Sequence, residues 1–182
     1  MDAAGGSLGD DAQLATLRDV LAALGATAPR LVYRKTLHRA DVNMSQTRLL
    51  IPCRSDDGDA SALTAFLTEG EKERVREHHE VREGHLYGIE VPVYDRHGQR
   101  FGMRLNWIEA SRAYRFSGTG WELFLRDNQL PEAMAAAEEI GWKLEIELWA
   151  FRLTELQLRE RRADIGDHHP DGVLGVAILI RI

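Results

Sequence analysis

Arg39, Asn43, Ser45 and Gln46 fall within eight residues of one another in "KTLHRADVNMSQTRLLIP" (residues 35–52), and Arg104, Asn106, Ser111 and Arg112 fall within nine in "RLNWIEASR" (residues 104–112). A guanidinium can donate two hydrogen bonds to guanine, and a carboxamide can both donate to and accept from adenine. Each well-formed pair separates the right base from the wrong one by about 1–3 kcal/mol. These side chains are therefore what a reader of duplex base edges needs. The same groups would serve equally well as charges that keep two loops hydrated, and composition alone leaves both readings open.

Charge distribution sharpens the contrast. The chain carries a net charge of −6, yet residues 34–54 hold five cations (Arg34, Lys35, Arg39, Arg48, Arg54) against Asp41, and residues 96–116 hold five (Arg96, Arg100, Arg104, Arg112, Arg115) against Glu109. Each island nets +4, so the rest of the chain must carry −14. A local positive face steers an anionic ligand despite a negative total, because salt screens distant acids over roughly 8–10 Å.

Other chemistry is poorly represented. The chain has no phosphate-binding Gly-rich Lys-Ser/Thr loop and no His-Glu-x-x-His, and the glycines of "SGTGW" lack a dinucleotide-site setting. Asp56–Asp57 and Glu138–Glu139 fall in acidic segments suited to solvation and capping rather than acid–base work. Cys53, the single cysteine, excludes an internal disulfide and a cysteine-rich zinc site. His78 and His79, like His168 and His169, are sequence neighbours that read as solvated surface. No enzyme, metal or cofactor is expected. No apolar run approaches the roughly 20 residues that span a bilayer, and the acidic start does not suit a signal peptide, so an intracellular chain without membrane contact is expected.

The elements that must position the two islands follow from periodicity. At 182 residues one compact domain is expected. Leucines at 14, 17, 21 and 24 recur at helical spacing behind an Asp cap, predicting an amphipathic helix. Residues 1–28 are read as an acidic tail plus this helix, which either packs on the domain or docks a partner or a second copy; residues 29–182 are read as the folded domain. "LVYRKTL" and "RLLIPC" read as strands flanking the first basic arm. "LTAFLTEGEKERVREHH" reads as one charged helix, and "HLYGIEVPVYD" and "QRFGMRLNW" as a hairpin across "DRHG". "YRFSG" resumes a strand, "GTGWELFLRDNQL" and "PEAMAAAEE" are short helices, and "VLGVAILIRI" is an apolar strand. In "WKLEIELWAF", Trp142, Leu144, Ile146 and Leu148 alternate with Lys143, Glu145 and Glu147. Many strands with few helices argue for a closed or nearly closed β architecture in which both islands are strand-to-strand connections.

The first arm, together with "FGMRLNW", "SRAYRFSGTGWELFLRDNQL" and "IELWAFRL", resembles the plant-specific B3 DNA-binding domain. Lys35, Leu37, Asp41, Val42 and Arg48 through Pro52 match its first arm and second strand, and Gly120, Trp121 and Phe124 match its Gly-Trp-x-x-Phe helix. "SQTRLLIP", "FLTEGEK" and "LWAFR" look closest to a B3 branch once catalogued as a plant domain of unknown function. The resemblance covers about residues 31–153. It implies a mainly β fold, a seven-stranded open β-barrel with two short α-helices in addition to the N-terminal helix, a nuclear location and a role as a transcriptional regulator.

B3 domains grip the major groove with two arms, and these coincide with the basic islands. Carried over by position, Lys35, Arg39 and Arg48 serve the first arm, and Arg104, Asn106, Trp107, Ser111 and Arg112 the second. Phosphate contact falls to Lys35, Arg48 and Arg112, and base-edge contact to Arg39, Asn43 and Asn106. Double-stranded DNA is the implied partner.

The chain departs from the family at Ala40, where Ser is common, at Glu109 in the second arm, and in "LPEAMAAAEEIGW", an insertion before the sixth family strand. These departures keep a second expectation alive, a B3 barrel that has lost base reading and recruits proteins through its acidic surface or its N-terminal helix.

Overall fold

The computed structural model describes residues 8–55, 58–77, 88–153 and 169–181. Among these residues the elements are, in order, α1 (Leu8–Ala23), β1 (Arg30–Thr36), β2 (Arg48–Pro52), β3 (Arg54–Ser55), β4 (Gly58–Asp59), α2 (Ser61–Phe66), α3 (Glu69–Arg76), β5 (Ile89–Tyr94), β6 (Arg100–Ile108), β7 (Ala113–Ser117), α4 (Thr119–Asp127), α5 (Leu130–Glu139), β8 (Glu145–Leu153) and β9 (Val173–Arg181). Seven strands form one sheet in the order β1-β8-β9-β5-β6-β7-β2, while β3 and β4 make a separate two-stranded ribbon. Among the described residues only β5 and β9 pair in parallel, and every other ladder is antiparallel.

The sheet curls until its edge strands approach, giving a nearly closed barrel. Side chains span the remaining gap: Lys35 Nζ on β1 donates to the Leu50 carbonyl on β2 at 2.6 Å, and the Tyr33 hydroxyl donates to the Pro52 carbonyl at 3.3 Å. Edge strands expose unpaired backbone groups, and here a lysine and a tyrosine satisfy two of the carbonyls.

Alternation sets what each strand buries. On β2, β6 and β7, the side chains of Leu49, Ile51, Leu105, Tyr114 and Phe116 point into the barrel with Trp121 and Phe124 of α4. β9 carries no polar side chain from Val173 to Ile180, as suits a strand with both faces covered. Leu174, Val176, Ile178 and Ile180 enter the barrel, while Val173, Ala177 and Leu179 pack outside it with Tyr94, Phe151 and Leu153. Leu17 and Leu21 of α1 complete that outer cluster, flanked by Leu14 and Leu24. The leucine stripe is thus occupied by the barrel, as the packing reading expects. Thr27 reinforces the link, its N–H donating to the Arg152 carbonyl and its hydroxyl accepting from the Arg152 N–H, both at 2.9 Å.

Three local readings need correction. The charged helix breaks into α2 and α3 because Thr68 caps the second: its side chain accepts from the Glu71 N–H at 3.1 Å while the Glu71 carboxylate accepts from the Thr68 N–H at 3.0 Å. Trp142 does not join the inward row of β8. It is 58% exposed, and its N–H donates to the Ala137 carbonyl at 2.8 Å to finish α5 before the strand begins. Glu147, read as outward, is buried and takes hydrogen bonds or ion pairs from Arg34, Trp149 and Arg181. His78, His79 and His168 lie outside the described residues.

Burial of the α1 leucines sets the cost of losing them. Leu17→Ala and Leu21→Ala are each expected to destabilise the protein by about 2–5 kcal/mol. Equilibrium urea unfolding measures this, and a change within about 0.5 kcal/mol for both would show that α1 is not packed on the barrel in solution.

Candidate nucleic-acid interface

The first arm, residues 37–47, is shaped by Asp41. Its Oδ2 accepts from the His38 N–H at 2.9 Å, its N–H donates to the His38 carbonyl at 2.9 Å, and its own carbonyl accepts from Trp121 Nε1 at 2.9 Å inside the barrel. Its Oδ1 lies 3.0 Å from Lys35 Nζ, and both side chains are only 8% exposed. Trp121 reaches this point because α4 presses close to β6: a Cβ on Gly120 would sit 2.0 Å from the Gly102 carbonyl oxygen, so only glycine fits. Trp121 then stacks on Phe124 at 5.4 Å.

The arm's tip carries exposed polar groups. Asn43 Oδ1 accepts from the Ser45 N–H at 3.0 Å and from the Ser45 hydroxyl at 2.7 Å, which closes a turn and occupies both lone pairs of that oxygen. Asn43 therefore presents its amide nitrogen as a donor. Arg39 is 84% exposed and meets Glu138 of α5 through two parallel bonds, Nε to Oε1 at 3.1 Å and Nη2 to Oε2 at 3.0 Å.

Strand register places the remaining arginines. Arg48 on β2 and Arg104 on β6 both sit opposite Ser117 on β7, so all three share the barrel's outer face. Two strand spacings separate the arginine Cα atoms by about 10 Å. In the next outward row Arg115 lies opposite both Leu50 and Asn106, and beyond it Ala113 lies opposite Pro52 and Ile108. The first arm enters β2 at the Arg48 end of this ladder. The β6–β7 turn leaves from the Pro52 end, so the two arms flank an arginine-bearing face rather than sit side by side.

The second arm is braced from below. Trp107 Nε1 donates to Glu109 Oε2 at 2.6 Å, the Arg76 guanidinium lies 4.6 Å from the Trp107 ring centroid, and Tyr114 packs edge-on against Trp107 at 5.1 Å. The Tyr114 and Thr64 hydroxyls are 2.6 Å apart. Burial pushes the Tyr114 phenol up, and the Thr64 contact partly offsets this. Arg112 closes the turn with a left-handed backbone (φ +47°), donating its N–H to the Glu109 carbonyl at 3.2 Å and accepting from the Cys53 N–H at 2.9 Å.

The nine residues singled out from the sequence thus divide. Arg39, Asn43, Arg48, Ser111 and Arg112 are exposed and Arg104 is half-buried, its Nη2 donating to the Gly88 carbonyl at 3.1 Å. Lys35, expected at phosphate, is instead an interior cation between Asp41 and Leu50. Trp107 is buried on the inward face, and Asn106, although its row faces outward, is covered where Gly88 approaches. Two residues escaped notice as site candidates. Arg115 shares the outer face with Arg104, which strict alternation along "AYRFS" would reveal, whereas Glu138 meets Arg39 across 99 residues and carries no local signal.

Among the described residues no cluster of three or more His, Cys, Asp or Glu side chains is arranged to hold a metal ion, and no helix is long and apolar enough to cross a membrane. The family model described as "B3 domain-containing protein At2g31720-like" matches residues 10–160. A relative from Arabidopsis thaliana, "B3 domain-containing protein At2g31720", is 30% identical over 142 residues, which cover 77% of this chain and 40% of the relative. The chain thus spans less than half the length of that protein.

Two outcomes follow from this geometry. Lys35→Ala should cost about 3–5 kcal/mol in chemical unfolding, because Asp41 is left charged and buried, whereas Arg39→Ala should stay within about 0.5 kcal/mol. Equal, small effects would contradict the interior placement of Lys35. The hydrogen bonds from Arg39 hold the Glu138 carboxyl below its ordinary range, so this arm-to-helix link is present near neutrality and lost as pH falls through that lowered value. Carboxyl-carbon NMR titration should show the Glu138 midpoint moving up in Arg39→Ala; an unmoved midpoint would mean the pair does not form in solution.

Proposed function

Because this chain belongs to the At2g31720-like family of B3 domain-containing proteins, a DNA-binding domain family, we propose that it is a nuclear transcriptional regulator that binds double-stranded DNA with sequence preference. The observation that carries the reading is the outer face of β2, β7 and β6, where Arg48 and Arg104 flank Ser117 between two exposed arms. From Arg48 to Pro52 the face runs four strand steps, about 13 Å, which is comparable to the roughly 12 Å width of the major groove. Interaction with phosphate is assigned to Arg48, Arg104 and Arg112, and base-edge contact to Arg39 and Asn43. Since the Asn43 oxygen is engaged within its turn, Asn43 acts as a donor toward an acceptor such as guanine O6 or N7, not as a bidentate partner of adenine. Lys35 supports the arm from inside, and Trp107 and Asn106 support the hairpin.

Exposed Ile140 and Trp142 at the end of α5 favour a second reading, a barrel that recruits proteins. The N-terminal helix does not favour it, because its leucines are already covered.

Selection from a randomised duplex library, followed by anisotropy on the winning sequence at several salt concentrations, tests the first reading. An enriched motif is expected, with affinity falling steeply as salt rises, and Arg48→Ala should reduce the salt slope by about one while weakening all sequences alike. Absence of enrichment, with only weak binding lost near physiological salt, would sink DNA reading and leave protein recruitment.

A further inference from the structure

We propose that Glu138 is a positioning residue that makes Arg39 a reader of guanine; the inference rests on the DNA-binding reading above. A guanidinium has five N–H donors in a rigid plane. Glu138 takes the side edge, Nε and Nη2, and leaves the end edge formed by Nη1 and the outer hydrogen of Nη2. That end edge matches the O6 and N7 acceptors of guanine in the major groove.

The carboxylate also decides between the two ligands a DNA-facing arginine can take. Phosphate is an anion and is repelled by Glu138, whereas the guanine edge offers neutral acceptors and suffers little from a nearby negative charge. Pairing with Glu138 therefore shifts Arg39 from phosphate contact toward base contact. An unpaired arginine on a loop would sweep many rotamers and settle on phosphate.

Glu138 is itself firmly based. Leu130, Met134 and Ala137 hold α5 to the body of the protein, and the helix ends at Glu139. No basic side chain lies in the last turn of α5, so Glu138 and Glu139 both stand at the negative end of the helix dipole, where a carboxylate is disfavoured. A local rule broken in this way is expected where a residue serves a site. Arg39 in turn leaves an arm fixed two residues later by Asp41.

The test uses the full chain and the duplex selected above, with each guanine of the enriched motif changed in turn. Wild type should discriminate against loss of one particular guanine by roughly five- to 150-fold. Glu138→Ala should erase most of that discrimination at that one position, leave discrimination at the others intact, and raise the salt slope by up to one as Arg39 turns to phosphate. Arg39→Ala should lose the same position, and Arg39→Ala/Glu138→Ala should lose no more than Arg39→Ala. Glu138→Gln, which keeps one acceptor, should retain part of the preference. Thermal unfolding should be unchanged in all of them, since both side chains are exposed. If Glu138→Ala tightens binding equally on every duplex, Glu138 only competes with DNA for Arg39 and the proposal fails. A base-preference profile identical to wild type also overturns it, with DNA reading still standing. If the wild-type protein itself shows no sequence preference, the DNA-binding reading fails and the proposal falls with it.

Discussion

Lys35 Nζ and Asp41 Oδ1, 3.0 Å apart in the interior, fix where the first arm leaves the barrel and where the barrel closes. The lysine reaches across the gap between the two edge strands to the Leu50 carbonyl, and the aspartate carboxylate accepts from the His38 N–H while the Asp41 N–H donates to the His38 carbonyl and the Asp41 carbonyl accepts from Trp121. One ion pair thus joins β1, the arm, β2 and α4. Relative to apolar packing such a pair adds little stability, but losing either member strands the other charge in a poorly solvating interior. The arrangement therefore tolerates few alternatives. Gly120 belongs to the same constraint, because α4 must lie within a Cβ of β6 for Trp121 to reach Asp41.

With the arm's base fixed, its exposed tip is free to differ from the core in charge and chemistry. The acidic total does not oppose an anionic ligand, since register gathers arginines on one face of β2, β7 and β6 while Glu109 is turned back onto Trp107 and Glu138 is held by Arg39. Both of these carboxylates are thus engaged with named donors. The second arm is less adaptable than the first, being braced by Arg76, Trp107, Tyr114 and Thr64 beneath it.

Much of this was legible because strand alternation is a short-range signal. The inward rows of β2, β6 and β7 and the doubly covered β9 follow from period two and from an unbroken apolar run, and the order of motifs pointed to the barrel. What escaped detection depends on distant partners. Lys35 looks like a surface cation until Asp41 and Leu50 are seen beside it. Trp142 continues the alternation of β8 on paper, yet its N–H is needed to end α5. The break between α2 and α3 was available in the sequence as Thr68 and Glu71, a capping box overlooked within a continuous charged run. Glu138 lies 99 residues from Arg39 in the chain and touches the arm only in three dimensions.

Mapping backbone amide shifts by NMR during titration with a selected duplex tests the central claim most directly, because it reports which surface DNA covers without altering a residue. The account predicts perturbations concentrated on residues 38–48, on Arg104 and on residues 109–117, with α1 and the α1-facing side of β9 unchanged. Perturbations centred on α1, or spread evenly with no preference for the Arg48–Ser117–Arg104 face, would contradict it.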